Sequence, residues 1–560
     1  MKTVETRRWL SLAASGAMVS SFAGTQKPNV VFILSDDQGY GDFECYGNPY
    51  LKTPHLNRLH DESIRIPAFY TAPVCAPTRA SLMTSRYNYR TSVWDTWQGG
   101  LNMRDDELTV AEVLKENGYK TALFGKWHLG YNCPFRPEDQ GFDEVLLWDM
   151  FHRAEKNRHN PVMIYNGELV GEAGYEEDVV FNYAIDFLQK NKISGQPFFM
   201  VVASTLPHTW VDYQVPEEYV ERFAPYREIS RFNAEILAMV EKLDENVGRL
   251  LETLDSTGLT ENTIVIFTSD NGPEFDPQQR RYNVGLRGRK GTTYEGGIKV
   301  PCFIRWPGVL PAGKDIQQVG TILDFMPTVL DMCGIPFNAE HPADGISLWP
   351  YISGEKTEPV SRSFCGQFYR PAVPAMWENC YVRSGDYKLV NGTELFNIAA
   401  DPFELNDLAE SLPQKKAELR QQYEHWFADV TKNTVQDGEF VIHPIIVGDG
   451  RQRLVNLRYS DKSPKHGWPM TVASPGPYKV TVNLMQNELF DDTSVFCIQF
   501  GDQVHKKKIL PNSGALVFDN VMIAPGEYEM QTFVEGTFIS RIFRTNPDIG
   551  HRNIHIEPMH

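Results

Sequence analysis

Four short runs constrain this chain most: NVVFIL (29–34), KTALF (120–124), PFFMVVAS (197–204) and TIVIFT (263–268). Each is apolar at nearly every position, β-branched or aromatic, and of strand length. A strand with no polar face suits a parallel sheet covered on both sides. Helical patterns with readable ends lie between the runs. Thr109-Val-Ala-Glu112 is a capping box, followed by Val113 and Leu114 and a stop at Gly118. A longer segment carries Ile236, Val240, Leu243, Val247, Leu250, Leu251 and Leu254 on one face and ends near Gly258. Strand and helix in alternation predict an α/β fold, with a large mixed, mostly parallel sheet sandwiched by helices.

At 560 residues the chain exceeds the size at which one core stops growing. Residues 1–24 have a basic start, a short apolar stretch and a small-residue end, which reads as an export signal to the periplasm or outside the cell; Arg7-Arg8 resembles the twin-arginine type. The α/β region is expected over 25–360. A small sheet-plus-helix subdomain is expected over 361–434, with a strand pair turning at Asn391-Gly392 and the helical LPQKKAELRQQYEHWFADV. From 435 to 560 short strands with Gly and Pro turns predict an added β-sandwich-like domain. The formal charge of -18 argues against a nucleic-acid partner, and no run beyond the leader is long and apolar enough to span a membrane, so a soluble protein is expected. The 8 cysteines show neither a C-x-x-C pair nor zinc spacing, so no disulfide framework is implied. Oligomeric state is not readable.

In parallel α/β sheets ligands bind beyond the carboxyl ends of the strands. NVVFIL runs into SDDQGYGD and TIVIFT into SDNG, placing Asp36, Asp37, Asp270 and Asn271 at one sheet edge. Either turn alone is an ordinary solvated loop; repetition after two similar strands reverses that reading. Converging hard oxygen donors call for a cation, Ca2+ first and Mg2+ second. KTALF leads into Lys126 and His128, and PFFMVVAS into His208. Singly these are a surface charge and structural histidines; at one edge they supply cations and proton carriers suited to an anionic ester. The basic stretch 280–301, with Arg280, Arg281, Arg287, Arg289 and Lys290, reads as a loop over the same site, with Lys290 as its anion-binding member. In CAPTRASLMTS, Pro77 suits a first helical turn, so Cys75 sits near a helix N-terminus, where negative charge is favoured.

Together the motifs NVVFILSDDQGYGD, CAPTRASLMTS, GYKTALFGKWHLG, TLPHT, IVIFTSDNG and KGTTYEGGIKVP, in this order, resemble the formylglycine-dependent sulfatases of the alkaline phosphatase superfamily. LFNIAADPFELNDLA is similar to their smaller C-terminal subdomain. The resemblance implies an alkaline phosphatase-like fold and hydrolysis of a sulfate ester. It implies that a maturation enzyme oxidises Cys75 to Cα-formylglycine, whose hydrate attacks sulfur with one hydroxyl and expels sulfate with the help of the other. By the same likeness Asp36, Asp37, Asp270, Asn271 and residue 75 would hold Ca2+, Arg79 would hold the formylglycine, Lys126 and Lys290 would contact sulfate, His128 would take a proton during release, and His208 or Lys290 would protonate the leaving alcohol. One departure is Thr84-Ser85, where the family usually has Thr-Gly; glycine tolerates positive φ better, so the helix beyond residue 75 is expected to differ slightly.

Two alternatives share parts of this pattern: a phosphonate monoester or phosphodiester hydrolase of the same superfamily, and a non-catalytic binder of sulfated glycans. The substrate expected is a sulfated carbohydrate or polysaccharide fragment. Trp94 and Trp97 in SVWDTWQGG are candidates for stacking on sugar, and Arg153, Arg158, His159 and Arg287 for contacting further anions. HKKK (505–508) is a mild pointer to anions that reads more simply as a solvated turn.

Overall fold

The computed structural model describes residues 27–96, 100–148, 158–209, 215–275, 281–336, 342–441, 443–447, 452–455, 468–474, 476–484, 495–509, 515–535 and 551–559. The expected export signal at 1–24, Trp97, Arg153 and Arg280 lie outside them. The central elements in chain order are β1 (Asn29–Ser35), α1 (Cys75–Thr84), α2 (Val110–Glu116), β2 (Lys120–Gly125), β3 (Glu144–Trp148), α3 (Glu176–Ser194), β4 (Phe198–Ala203), α4 (Arg231–Thr257), β5 (Thr263–Ser269) and β6 (Cys302–Arg305).

All four apolar runs are strands. The order β5-β1-β4-β2-β3 is parallel throughout, and antiparallel β6 extends one side of what becomes a 10-stranded sheet. Alternate residues of β1 serve opposite faces, as the strand period of two requires. Val30, Phe32 and Leu34 pack with Ala76, Ala80, Leu82 and Val113. Val31 and Ile33 pack with Val180, Phe187 and the α4 stripe Ile236, Val240, Leu243, Val247, Leu250, Leu251 and Leu254. That stripe is the one marked by its periodicity, and Gly258 ends α4 at φ 72, in the left-handed region. The capping box at Thr109 and Glu112 is formed in both directions.

After the large sheet come β7 (Ser363–Gln367), β8 (Cys380–Ser384), β9 (Tyr387–Val390) and β10 (Glu394–Asn397), an antiparallel four-stranded sheet, with α5 (Pro413–Thr431) packed on it. Asn391 at φ 51 and Gly392 at φ 68 make the turn between β9 and β10. Beyond residue 444 the described strands form a five-stranded and a four-stranded sheet that share one core, including Val447, Val480, Phe496, Leu516 and Ile556. Phe135 of the α/β region joins that core. HKKK is not a turn: it lies in the edge strand Gln503–Lys508, where lysines discourage further strand pairing.

Candidate active site

Register assembles the site. Ser35 pairs with Ser269, Leu34 with Ala203, and Gly125 with Ala203, so β5, β1, β4 and β2 end side by side and their next residues share one edge. Asp36, Asp37, Asp270 and Asn271 are all fully buried there. The turn after β5 lies against the 290–297 loop because residue 272 is glycine: a Cβ would fall 1.9 Å from the Gly296 carbonyl oxygen. Gly272 N–H donates to Gly297 O at 2.9 Å, Lys290 N–H to Pro273 O at 3.0 Å, and Gly291 N–H to Pro73 O at 2.8 Å. These bonds carry Lys290 between the Asp270 turn and the lead-in to Cys75.

Cys75 is the first residue of α1, after Val74 in extended conformation. Ser85 ends α1 in the left-handed region itself, at φ 58, and its hydroxyl donates to Leu323 O. A serine thus occupies the position without lengthening or breaking the helix, its strain offset by this buried bond. Burial pushes the Cys75 thiol up to about 12, against the pull of Lys126 and Lys290. One ligand atom each from Asp36, Asp37, Cys75 and His208 lies within 4.8 Å of the others.

The carboxylates are matched to cations. Lys126 Nζ lies 2.6 Å from Asp36 Oδ2, Lys290 Nζ 2.8 Å from Asp37 Oδ2, and Arg79 Nη2 2.8 Å from Asp270 Oδ2. Arg79 also donates to Lys126 O at 2.7 Å. Burial and the neighbouring Asp36 and Asp37 charges push the Asp270 carboxyl up to about 7 despite Arg79. Burial opposes ionisation of Asp36 as well, yet the permanent charges of Lys126, Arg79 and Lys290 hold it well below the usual range. Asp36 Oδ1 and Asn271 Oδ1 are buried acceptors without a hydrogen-bond donor among the described residues. Three crowded carboxylates and an amide carbonyl, with one Asp36 oxygen and the Asn271 oxygen unused, fit a hard divalent cation.

His128 is held at φ 67, a conformation rare outside glycine and asparagine. Its Nε2 lies 2.9 Å from Thr96 O, an acceptor only, so the ring proton sits on Nε2. Nδ1 is buried and has no hydrogen-bond partner among the described residues. Burial, then Lys126 and Arg79, hold the ring's pKa well below 6.5. His128 is therefore a neutral imidazole with an unused lone pair. His208 Nε2 lies 3.7 Å from Asp37 Oδ2, and burial and Lys290 keep this ring neutral too.

The residues singled out for substrate contact fare differently. Trp94 is 2% exposed and stacks on Phe440 at 4.8 Å, so it packs the core instead of offering a face to sugar. Arg158 is buried: it donates to Thr205 Oγ1 at 2.7 Å and to His208 O at 3.1 Å, and pairs with Glu176 at 3.3 Å. It braces the His208 loop, a role with no local signature in the sequence. Arg287 lies 3.9 Å over the Tyr294 ring, pairs with Glu394 at 3.1 Å and donates to Glu404 O, which ties the 290 loop to β10. His159 bridges to Tyr175 and its ring packs 5.4 Å from the tyrosine's. Thr96, which orients His128 through its carbonyl, has no signature inside SVWDTWQGG because any residue type supplies a carbonyl.

Comparison with known proteins is consistent with this geometry. The sulfatase family profile matches residues 28–335, and that of the N-sulphoglucosamine sulphohydrolase C-terminal region matches 289–433. N-acetylgalactosamine-6-sulfatase of Canis lupus familiaris is 33% identical over 374 residues, 62% of this chain and 70% of that one. Arylsulfatase A of Homo sapiens is 31% identical over 422 residues, 69% of this chain and 80% of its own. The crystal structure of Ps i-CgsB in complex with k-i-k-neocarrahexaose superposes with a TM-score of 0.66 at 27% identity, covering 75% of this chain and 95% of that one. With the family profile spanning more than half the chain and its motifs gathered at one sheet edge, this protein belongs to the sulfatase family and is a sulfuric ester hydrolase.

Proposed function

We propose that this sulfatase hydrolyses a sulfate ester on a sulfated carbohydrate, after oxidation of Cys75 to formylglycine and with Ca2+ held by Asp36, Asp37, Asp270 and Asn271. The observation that carries this reading is the contradiction at Cys75. A thiol pushed up to about 12 by burial is no nucleophile at neutral pH, yet it lies among three carboxylates and two lysines at a helix N-terminus. Formylglycine, as its hydrate, supplies an oxygen nucleophile that can return to the aldehyde; the cation supplies positive charge beside anionic oxygens.

The remaining chemistry belongs to this chain's own side chains. Lys126 and Lys290, both largely buried, present ammonium groups to an incoming sulfate, and such contacts count most away from water. Lys290 keeps its proton, because Asp37 and Asp36 outweigh the cost of its burial. His128, neutral with a bare Nδ1, takes a proton at that atom. His208 is neutral while Lys290 faces it; a sulfate between them counters the lysine and favours a protonated ring, which then gives its proton to the leaving alcohol. Arg158 fixes the backbone that carries His208.

Relatives named N-acetylgalactosamine-6-sulfatase and a neighbour solved with k-i-k-neocarrahexaose support a sugar substrate. The leader at 1–24 supports export to the periplasm or beyond, where polymeric sulfated saccharides are met. The test is to co-express the chain with a formylglycine-generating enzyme and weigh the tryptic peptide 66–79. The matured protein is then assayed on N-acetylgalactosamine 6-sulfate and sulfated carrageenan oligosaccharides, beside phosphonate and phosphodiester controls. Aldehyde at residue 75 with sulfate release preferred over phosphodiester cleavage is expected. An intact thiol, although a known sulfatase matures in the same cells, overturns the proposed nucleophile. Preferred phosphodiester turnover overturns the substrate class.

A further inference from the structure

The segment 368–379, between β7 and β8, is fastened to both sides of the catalytic edge. At its base Asn379 Nδ2 donates to Gly291 O at 2.7 Å and to Phe368 O at 3.0 Å, and Gly291 is the neighbour of Lys290. Nearer its start, Arg370 Nη1 donates to Asp95 Oδ1 at 2.9 Å and lies 3.5 Å from Thr96 Oγ1. Thr96 is the residue whose carbonyl holds His128. The segment therefore spans from the flank of Lys290 to the flank of His128, and Arg370 stands at the rim between them.

Arg370 differs from the other arginines around the site. Arg79 and Arg281 are buried in ion pairs at 2.8 and 2.6 Å, Arg289 pairs with Glu274 at 2.5 Å, and Arg158 and Arg287 are committed to bracing contacts. The Arg370 side chain is 60% exposed, and only Nη1 has a partner among the described residues. Asp95, 4% exposed, anchors that one nitrogen, and the Phe368 ring lies 5.1 Å from the guanidinium, while Nε and Nη2 have no partner among the described residues. Val373 and Met376, 40% and 41% exposed, add apolar surface on the same segment. An anchored guanidinium with open donors beside apolar side chains suits a sugar ring that carries a second anionic group.

We infer that Arg370 is a specificity-determining residue, which binds a second anionic substituent, sulfate or carboxylate, on the saccharide whose sulfate ester is cleaved. This inference rests on the sulfated-saccharide reading. The test compares matured wild-type, Arg370→Ala and Arg370→Lys enzymes on a disulfated oligosaccharide, a monosulfated saccharide bearing a uronate, a neutral monosulfated saccharide and a small aryl sulfate. For Arg370→Ala, kcat/KM falls about 10- to 100-fold, mainly through KM, on the substrate whose second anion is read, and stays within about 2-fold on the neutral saccharide and the aryl sulfate. Loss on the disulfated substrate alone identifies sulfate; loss on the uronate alone identifies carboxylate. Arg370→Lys keeps the charge that Asp95 needs and recovers part of the loss. An equal fall on all four substrates shows that Arg370 acts through Asp95 and Thr96, and no fall on any shows that it touches no substrate; either overturns the inference. Calorimetric titration of the four compounds into Cys75→Ala, with and without Arg370→Ala, reads the same contact without catalysis. Equal affinities there refute Arg370, whereas an inert wild type that still shows the difference refutes only the proposed turnover.

Discussion

Replacing His128 by asparagine separates chemistry from folding. Asparagine tolerates the left-handed φ of 67 at this position, and it keeps an N–H able to face Thr96 O. Among the described residues His128 has one hydrogen bond to lose, a neutral bond of about 1 kcal/mol, so unfolding stability should fall by no more than about that. The unused Nδ1 lone pair is lost entirely. A positioned general base contributes about 10²- to 10⁴-fold, or about 2.7 to 5.4 kcal/mol of barrier, so kcat should drop by that factor. Sulfate release is followed from pH 5 to 9, beside denaturant unfolding of both proteins. Because the folded ring's pKa is held well below 6.5, its base form persists on acidification, and the wild-type acid limb should begin below pH 6.5. The unfolded chain binds a proton on His128 near pH 6.5 and the folded one does not, so this residue subtracts stability as pH falls below 6.5. His128→Asn should therefore gain stability relative to wild type between neutral pH and pH 5. A kcat loss under about 10-fold, a stability loss as large as the activity loss, or an acid limb centred at or above pH 6.5 would refute the reasoning.

Three other perturbations probe different parts of the structure. Chelation of the matured enzyme should abolish sulfate release and lower its melting temperature, both restored by Ca2+; at a free concentration 100 times Kd the ion is worth about 2.7 kcal/mol, and a melting temperature indifferent to Ca2+ speaks against the site. Lys388→Met removes the buried ammonium that lies 3.0 Å from Glu295 and 2.9 Å from Glu404, leaving two carboxylates facing one another; chemical denaturation should show a loss of about 3 to 5 kcal/mol, and a loss below 1 kcal/mol would contradict the pairing. Arg158→Met should lower kcat about 10-fold with KM little changed, since it unbraces His208 without touching substrate; a rise in KM alone would return Arg158 to the substrate-binding role its charge first suggested.

The division between what was legible and what was not tracks the range of the forces involved. The four strands, the α4 stripe, the Thr109 capping box and the Asn391-Gly392 turn are local: apolar period, side-chain caps and backbone φ preferences act within a few residues, so they are written in consecutive letters. The grouping of the candidate site residues was legible for a related reason. Parallel strands all end at the same edge, so the residues just beyond each run already group Asp36, Lys126, His208 and Asp270, and the family motifs add Cys75 and Arg79.

Local patterning is silent on which partner a charged or aromatic side chain finds across the fold. Arg158, Arg287 and Arg370 look alike as letters, yet one braces the His208 loop, one stacks on Tyr294, and one stands at the rim on Asp95, 275 positions away in the chain. Trp94 has the look of a sugar platform in the sequence, but Phe440 covers it in the fold. Sequence alone determined the sheet, the edge and the chemical types gathered there, because hydrophobic period and strand direction leave few alternatives. Only the tertiary structure decided which of those groups are neutral, which are paired and which face outward, because burial and long-range ion pairing depend on every layer packed around them.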